Sequence, residues 1–211
     1  VVVAAWPAAE RIDMTRSTAA TRLVDLFFLG QFVLASLMAP SFAAGAIAGE
    51  KERKSYEMLL ASPLRPGAIV LGKLLASWCP LGLLVVSSLP VVMLCLPLGG
   101  VSLYEVLVAY AALLLAVTLF TTISLAASSY FRRTSHALVV SYLVILPLSM
   151  VGAAAWAALG SYSSAARLAT TATFLPLGVG AACLVLLATV SRRLLRPPDV
   201  GSEGHEVHDE A

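Results

Sequence analysis

Five long runs without a charged side chain constrain the fold of this chain more than any other feature. Four of these runs have 23 or 24 residues and the last has 20, and all are mainly apolar. About 20 apolar residues in a helix cross the roughly 30 Å hydrocarbon layer of a bilayer. The predicted spans are 26–48, 75–98, 106–128, 137–159 and 172–191.

The composition of the whole chain agrees with this prediction. Hydrophobic residues make up 59% and charged residues 12%, whereas a soluble domain has about 25% charged residues. Transmembrane strands need only about ten residues of alternating polarity, so the length of the runs indicates helices. We therefore predict an all-α, polytopic helical membrane protein with five spans. The net charge of +2 is too small to indicate a nucleic-acid partner.

The distribution of basic residues predicts the orientation in the membrane. The segments 49–74 and 129–136 and the tail from residue 192 together hold ten Lys and Arg, whereas the other side holds four. Because cytoplasmic loops are enriched in Lys and Arg, the ten are expected in the cytoplasm, with the C-terminus. The predicted location is the inner cell membrane, with multiple passes and contact with membrane lipid.

The two ends of the chain differ from the central transmembrane domain, which we predict over residues 25–196. Residues 1–24 are interpreted as the end of a truncated first helix followed by an external loop, which implies six spans in the intact subunit. Residues 197–211 contain two prolines and five acidic residues but no Lys or Arg. This composition predicts a disordered, acidic cytoplasmic tail.

The segment 50–62 between the first two spans predicts a short amphipathic helix. Glu50 with Lys54 and Arg53 with Glu57 are i,i+4 pairs that support an exposed helix. Pro63 is expected to end it. One interpretation is an interfacial helix that rests on lipid headgroups. The mixture of acidic and basic side chains instead favours a helix that binds a protein partner.

The same segment resembles the signature of ABC-2 type permeases, the membrane subunits of ATP-driven exporters. The resemblance covers about residues 25–135, and Lys54 departs from it. The matching positions are Glu52, Arg53, Ser55, Glu57, Leu59, Leu60, Ser62, Pro63, Gly72 and Lys73.

The resemblance implies a permease subunit that forms the substrate pathway of an exporter. It also implies two kinds of partner, a second permease copy or sister permease and a cytoplasmic ABC ATPase subunit. ATP and Mg²⁺ would bind to that ATPase, so this chain would carry no cofactor, no metal and no catalytic site. The helix 50–62 would be the coupling helix. Its predicted ATPase-coupling residues are Glu50, Glu52, Arg53, Glu57 and Pro63.

Two further groups of residues have competing interpretations. The motif ending in Gly72 and Lys73 is close to a phosphate-binding loop, but Leu74 replaces the hydroxyl that would hold Mg²⁺. Lys73 is instead predicted to be an anchor at the membrane interface. A stripe of hydroxyls on the third span either holds helices together or lines the substrate pathway. Its members are Thr118, Thr121, Thr122, Ser128 and Ser129.

The alternative to a transporter is a polytopic membrane scaffold or assembly factor that moves no solute. An enzyme is disfavoured, because the sequence has no G-x-S-x-G or H-E-x-x-H motif. The five predicted runs also contain no ionisable carboxylate, Lys, Arg or His. Such residues within a membrane usually mark proton or ion pathways, so the energy for transport is expected from a separate ATPase. The sequence does not define the substrate.

Overall fold

The computed structural model of the protein describes residues 17–52, 66–95, 102–131, 133–159 and 164–195. These residues form helices joined by turns, with no strand among them, so the all-α prediction is confirmed. The helices are α1 (Ser17–Ala43), α2 (Gly45–Glu52), α3 (Pro66–Ser87), α4 (Leu89–Cys95), α5 (Leu103–Tyr130), α6 (Thr134–Leu159) and α7 (Ser164–Leu195).

Within the described ranges, five helical segments are long and apolar enough to cross a membrane, as predicted. They are Leu23–Glu52, Gly67–Met93, Leu103–Tyr130, Thr134–Ala158 and Leu175–Arg192. The observed helices extend beyond the uncharged runs, because a helix continues into the interface as long as its backbone amides find acceptors. At the start of α5, the Ser102 hydroxyl accepts from the Glu105 amide while the Glu105 carboxylate accepts from the Ser102 amide. This capping box sets the first residue of the helix.

Prolines within the spans affect the helices to different degrees. The helices continue through Pro40, Pro80, Pro147 and Pro176, as membrane helices commonly do. Near Pro90, however, the second span is interrupted at Ser88, and α4 begins with Leu89. Pro90 has no amide hydrogen with which to continue the hydrogen-bond ladder of α3, whereas it is tolerated in the first turn of α4. The second predicted span is therefore present but divided beside this proline.

The first span is also interrupted, at the Ala44 turn between α1 and α2. The sequence analysis placed the end of the span at residue 48 and began a separate helix at residue 50. In the structure, Glu50 and Glu52 belong to the same short helix as Gly45. The predicted helix boundary between Ala48 and Glu50 is therefore corrected. Residues 53–62 of the predicted coupling helix lie outside the described residues.

Helix α5 lies at the centre of the bundle and packs against α1, α2, α3, α6 and α7. Because successive spans run in opposite directions, each end of the bundle combines the beginnings of some helices with the ends of others. The end that contains α2, which we call the α2 end, buries Ile47 against Val70, Leu125 and Val190. At the opposite end, the start of α1 packs with Val85, Val106 and Tyr110.

Candidate functional site

Helix α2 is joined by polar contacts to three other helices, and these contacts form the candidate functional site. We call α2, together with Lys73, Ser128, Ser129 and Thr134, the α2 junction. The four partner residues come from α3, α5 and α6. Chain segments that are 20 to 80 residues apart in sequence thus meet around one short helix.

An ion pair links α2 to α3. The Lys73 ammonium lies 2.6 Å from Oε1 of Glu50 and also donates a hydrogen bond to the carbonyl of Ala46. The side chains of Lys73 and Glu50 are 15% and 34% exposed, so the pair is only partly solvated. An ion pair in such a setting is less screened than one on an open surface. Lys73 therefore fixes the position of α2 relative to α3.

Two further charged side chains of α2 bind to the other neighbouring helices. The Glu52 carboxylate accepts from the amide and the hydroxyl of Thr134, at 3.3 and 2.9 Å. A carboxylate at the start of a helix is favourable because the helix dipole is positive there. Lys51 donates to the carbonyl of Ser129 at 2.6 Å, near the last turn of α5. The charges of α2 thus stabilise the ends of two long helices.

The start of α2 is bound by a buried hydroxyl from α5. Oγ of Ser128 accepts from the amides of Ile47 and Ala48, at 3.0 and 2.8 Å. Ser128 is completely buried. Ala44, which precedes α2, has no side-chain oxygen that could accept hydrogen bonds from the first amides of the helix. The Ser128 hydroxyl of α5 accepts them instead.

The two glycines of α2 lie against Thr134 of α6 at ordinary van der Waals distance. A Cβ atom added at Gly45 would lie 3.4 Å from Cγ2 of Thr134, and one added at Gly49 would lie 3.7 Å from its hydroxyl. The G-x-x-x-G spacing brings both glycines to one face of the helix. Thr134 therefore packs onto that face while its polar atoms bind Glu52.

The predicted site residues divide into those that the structure brings together and those that it does not describe. Glu50, Glu52 and Lys73 meet at the α2 junction. The predicted coupling residues Arg53, Glu57 and Pro63 lie outside the described residues. The role of Lys73 as an anchor at the membrane interface stays a prediction, since its described contacts are to α2.

The predicted pathway hydroxyls face the interior of the bundle. Thr121 and Thr122 are buried and donate to carbonyls of their own helix. Thr118 accepts from the indole of Trp78 on α3 at 3.1 Å. These contacts agree with the packing interpretation, and Ser128 and Ser129 take part in the α2 junction. The alternative role as pathway lining stays a prediction.

Sequence analysis did not identify the roles of Lys51, Ser128 and Thr134 in the junction. The pairing of Glu52 with Thr134 joins residues 82 positions apart, and local periodicity carries no information about such a pair. Only the arrangement of the bundle reveals it.

An apolar cavity of about 140 Å³ lies near the opposite end of the bundle, between α1, α5, α6 and α7. The rings of Phe28, Phe32 and Trp156 line it together with small residues such as Ala112 and Gly152. Its lining contains none of the charged or hydroxyl side chains that characterise the α2 junction. Among the residues that the structure describes, no group of three acidic, His or Cys side chains is placed to hold a metal ion.

Comparison with known proteins identifies the family. The family model described as "ABC-2 family transporter protein" matches residues 7–166, which include α1 to α6 and the α2 junction. No curated protein and no solved structure matches the chain significantly. The match covers well over half of the 211 residues and agrees with the five apolar helices. The chain therefore belongs to the ABC-2 transporter family and is a multi-pass membrane permease of ABC-type transport.

Proposed function

We propose that this permease is the membrane subunit of an ATP-driven exporter and that the α2 junction receives the motion of a cytoplasmic ABC ATPase. ATP and Mg²⁺ bind to the ATPase subunit in this proposal. The permease forms the substrate pathway together with a second copy or a sister permease. The observation that carries the proposal is the set of polar contacts that connects α2 to α3, α5 and α6.

The first supporting step concerns the transfer of force. Glu52 is the last described residue of α2. The rest of the predicted coupling helix, residues 53–62 with Arg53 and Glu57, follows it directly in the chain, and we call it the coupling segment. A displacement of that segment therefore acts on α2 first. Because Glu50 is bound to Lys73 and Glu52 to Thr134, the displacement is passed to the starts of α3 and α6. Conversion of nucleotide binding into helix movement needs such a rigid connection.

The second supporting step concerns orientation. Basic residues from the segments predicted to be cytoplasmic lie at the α2 end of the bundle. Lys51 belongs to α2, Lys73 contacts it, and Arg133 precedes α6 directly. The positive-inside rule then favours the cytoplasm for this end. In this orientation the α2 junction faces the compartment that holds ATP, the C-terminus is cytoplasmic, and the protein resides in the inner membrane.

A charge reversal in the coupling segment tests the proposal. The permease is reconstituted into vesicles with the ABC ATPase that purifies with it. We expect the double variant Arg53→Glu, Glu57→Arg to insert normally but to lose at least tenfold in ATPase binding. Glu50 and Glu52 are kept, so the α2 junction itself is unchanged. Binding is measured by co-purification, and insertion is measured by the yield of folded permease from membranes.

The matched control reverses two charges elsewhere on the same predicted side. The variant Glu203→Lys, Glu206→Lys in the acidic tail should bind the ATPase as the unmodified chain does. If the coupling-segment variant also binds normally, the proposed coupling role is wrong. If the unmodified permease binds no ABC ATPase at all, the proposal of an ATP-driven exporter is itself contradicted.

A further inference from the structure

Ser128 differs from two other buried hydroxyls of α5, Thr121 and Ser124, in the helix to which it is hydrogen-bonded. Ser124 and Thr121 donate to the carbonyls of Phe120 and Val117 in their own helix, at 2.9 and 2.8 Å. Ser128 accepts from two amides of α2. A hydroxyl oxygen has two lone pairs, so one atom holds both amides.

The position of these amides matters for the geometry of α2. Amides in the first turn of a helix lack acceptors within the helix, and Ile47 is the third residue of α2. An acceptor at this point is normally supplied by the residue before the helix. Here it comes from a helix about 80 positions away in the sequence, so the cap also binds two helices to each other.

Apart from the Lys73 hydrogen bond to the Ala46 carbonyl, the other polar contacts of α2 lie further along the same helix. Lys73 and Thr134 bind Glu50 and Glu52, in the last turn of α2, whereas Ser128 binds the beginning. The ionic contacts involve flexible side chains. The Ser128 contacts involve backbone amides in a fully buried site, next to the break at Ala44. The start of α2 is thus the more firmly held end of the helix.

From this geometry we propose that Ser128 is a positioning residue for energy coupling. It holds the start of α2 against α5. A displacement of the C-terminal end of α2 then tilts the helix bundle instead of moving α2 alone. The inference rests on the proposed function, since it presumes that the coupling segment is moved by an ATPase. It adds a completely buried residue to the predicted coupling residues.

Trp156 provides a reporter at the opposite end of the molecule. It lines the apolar cavity, far along the bundle from α2. The parent protein for the test is a single-tryptophan form with Trp6→Phe and Trp78→Phe, reconstituted with its ATPase in vesicles. Two quantities are measured, the change in Trp156 fluorescence on addition of MgATP and the rate of ATP hydrolysis.

Three substitutions are compared in this background. Ser128→Ala removes the acceptor, and we expect the MgATP-induced fluorescence change to fall at least fivefold while the ATPase still hydrolyses ATP. Ser128→Thr keeps the hydroxyl and should restore at least half of the change. Ser124→Ala is the matched control, because it removes an equally buried hydroxyl of α5 that binds only its own helix. It should respond as the parent does.

Different outcomes separate the inference from the proposed function. If Ser128→Ala responds as the parent does, or if Ser124→Ala loses the response equally, Ser128 is not a positioning residue. If the parent itself shows no response to MgATP and no ATPase binds, the proposed function is wrong.

If Ser128→Ala does not fold, as judged by thermal unfolding, Ser128→Cys replaces it. The weak sulfur acceptor should then give a response at least twofold below that of the parent, and an undiminished response would contradict the inference.

Discussion

The two ends of the helix bundle are held together by different forces. At the α2 end, α2 is joined to its neighbours by an ion pair, by two hydrogen bonds to a carboxylate, and by a hydroxyl that accepts two hydrogen bonds. At the opposite end, aromatic rings pack against each other, with ring centroids 5.2 Å apart for Phe28 and Tyr110 and 5.6 Å for Phe32 and Phe120. The Tyr110 hydroxyl there is also hydrogen-bonded to that of Ser88, at 2.9 Å. A cavity of about 140 Å³ remains beside them.

This difference has a physical consequence within a membrane. Lipid tails are as apolar as Leu, so burial of apolar surface between helices gives little net driving force, and packing and hydrogen bonds decide the arrangement. Directional bonds at the α2 end define one geometry. Apolar contacts around a cavity tolerate several arrangements, because each contact contributes only a small dispersion energy. We therefore expect the α2 end to move as a unit and the cavity end to repack.

The largest effect should come from breaking the ion pair. Lys73→Met leaves the carboxylate of Glu50 partly buried without its ammonium partner. Loss of one partner of a fully buried pair costs about 3–5 kcal/mol, and an exposed pair contributes at most about 1 kcal/mol. For this partly solvated pair we expect a loss of about 2 kcal/mol in the free energy of unfolding, measured by denaturation in detergent micelles.

The control for this prediction removes both charges. The double variant Glu50→Gln, Lys73→Met removes both members of the ion pair, so it should be more stable than Lys73→Met alone. If the double variant loses as much stability as the single one, or more, the stability loss of Lys73→Met does not arise from the Glu50 carboxylate that it leaves without Lys73. The ion pair would then be only a minor part of the α2 junction.

The same truncation at the two ends provides a direct comparison. Leu125 at the α2 end and Leu113 beside the cavity are 0% and 5% exposed. Leu→Ala costs about 2–5 kcal/mol in soluble cores and least where the surroundings can collapse. We expect Leu125→Ala to cost about 1 kcal/mol more than Leu113→Ala, since polar bonds hold the surroundings of Leu125 in place. Equal costs in matched unfolding experiments would show that the ends are equally rigid.

A smaller effect is expected where α1 meets α6. The Tyr142 hydroxyl donates to the carbonyl of Leu37 at 2.8 Å and lies 3.1 Å from the hydroxyl of Ser41, which follows Pro40 directly. An interhelical hydrogen bond in a membrane contributes about 0.6 kcal/mol. Tyr142→Phe should therefore lower the unfolding free energy by about that amount. A loss above about 2 kcal/mol would mean that a second polar anchor exists outside the α2 junction.

Most of the fold follows from local sequence, whereas the candidate site follows from it only in part. Hydropathy is a sum over neighbouring residues, and it predicted all five spans. The break at Ser88 lies beside Pro90, yet helices continue through Pro40 and Pro80, so a proline alone does not predict where a helix is divided. The charges Glu50 and Glu52 were recognised from their pattern. Their partners Lys73 and Thr134 were not, since tertiary packing alone brings them near.

Site-specific photocrosslinking tests the central claim most directly, that the α2 end is the end that meets the ATPase. A photoreactive amino acid is placed at Ser55, in the predicted coupling segment, or at Tyr104, which is 59% exposed at the opposite end. Irradiation of the membrane-embedded complex should give a covalent adduct of permease and ABC ATPase from position 55 and none from position 104. An adduct from position 104 without one from position 55 would contradict the claim.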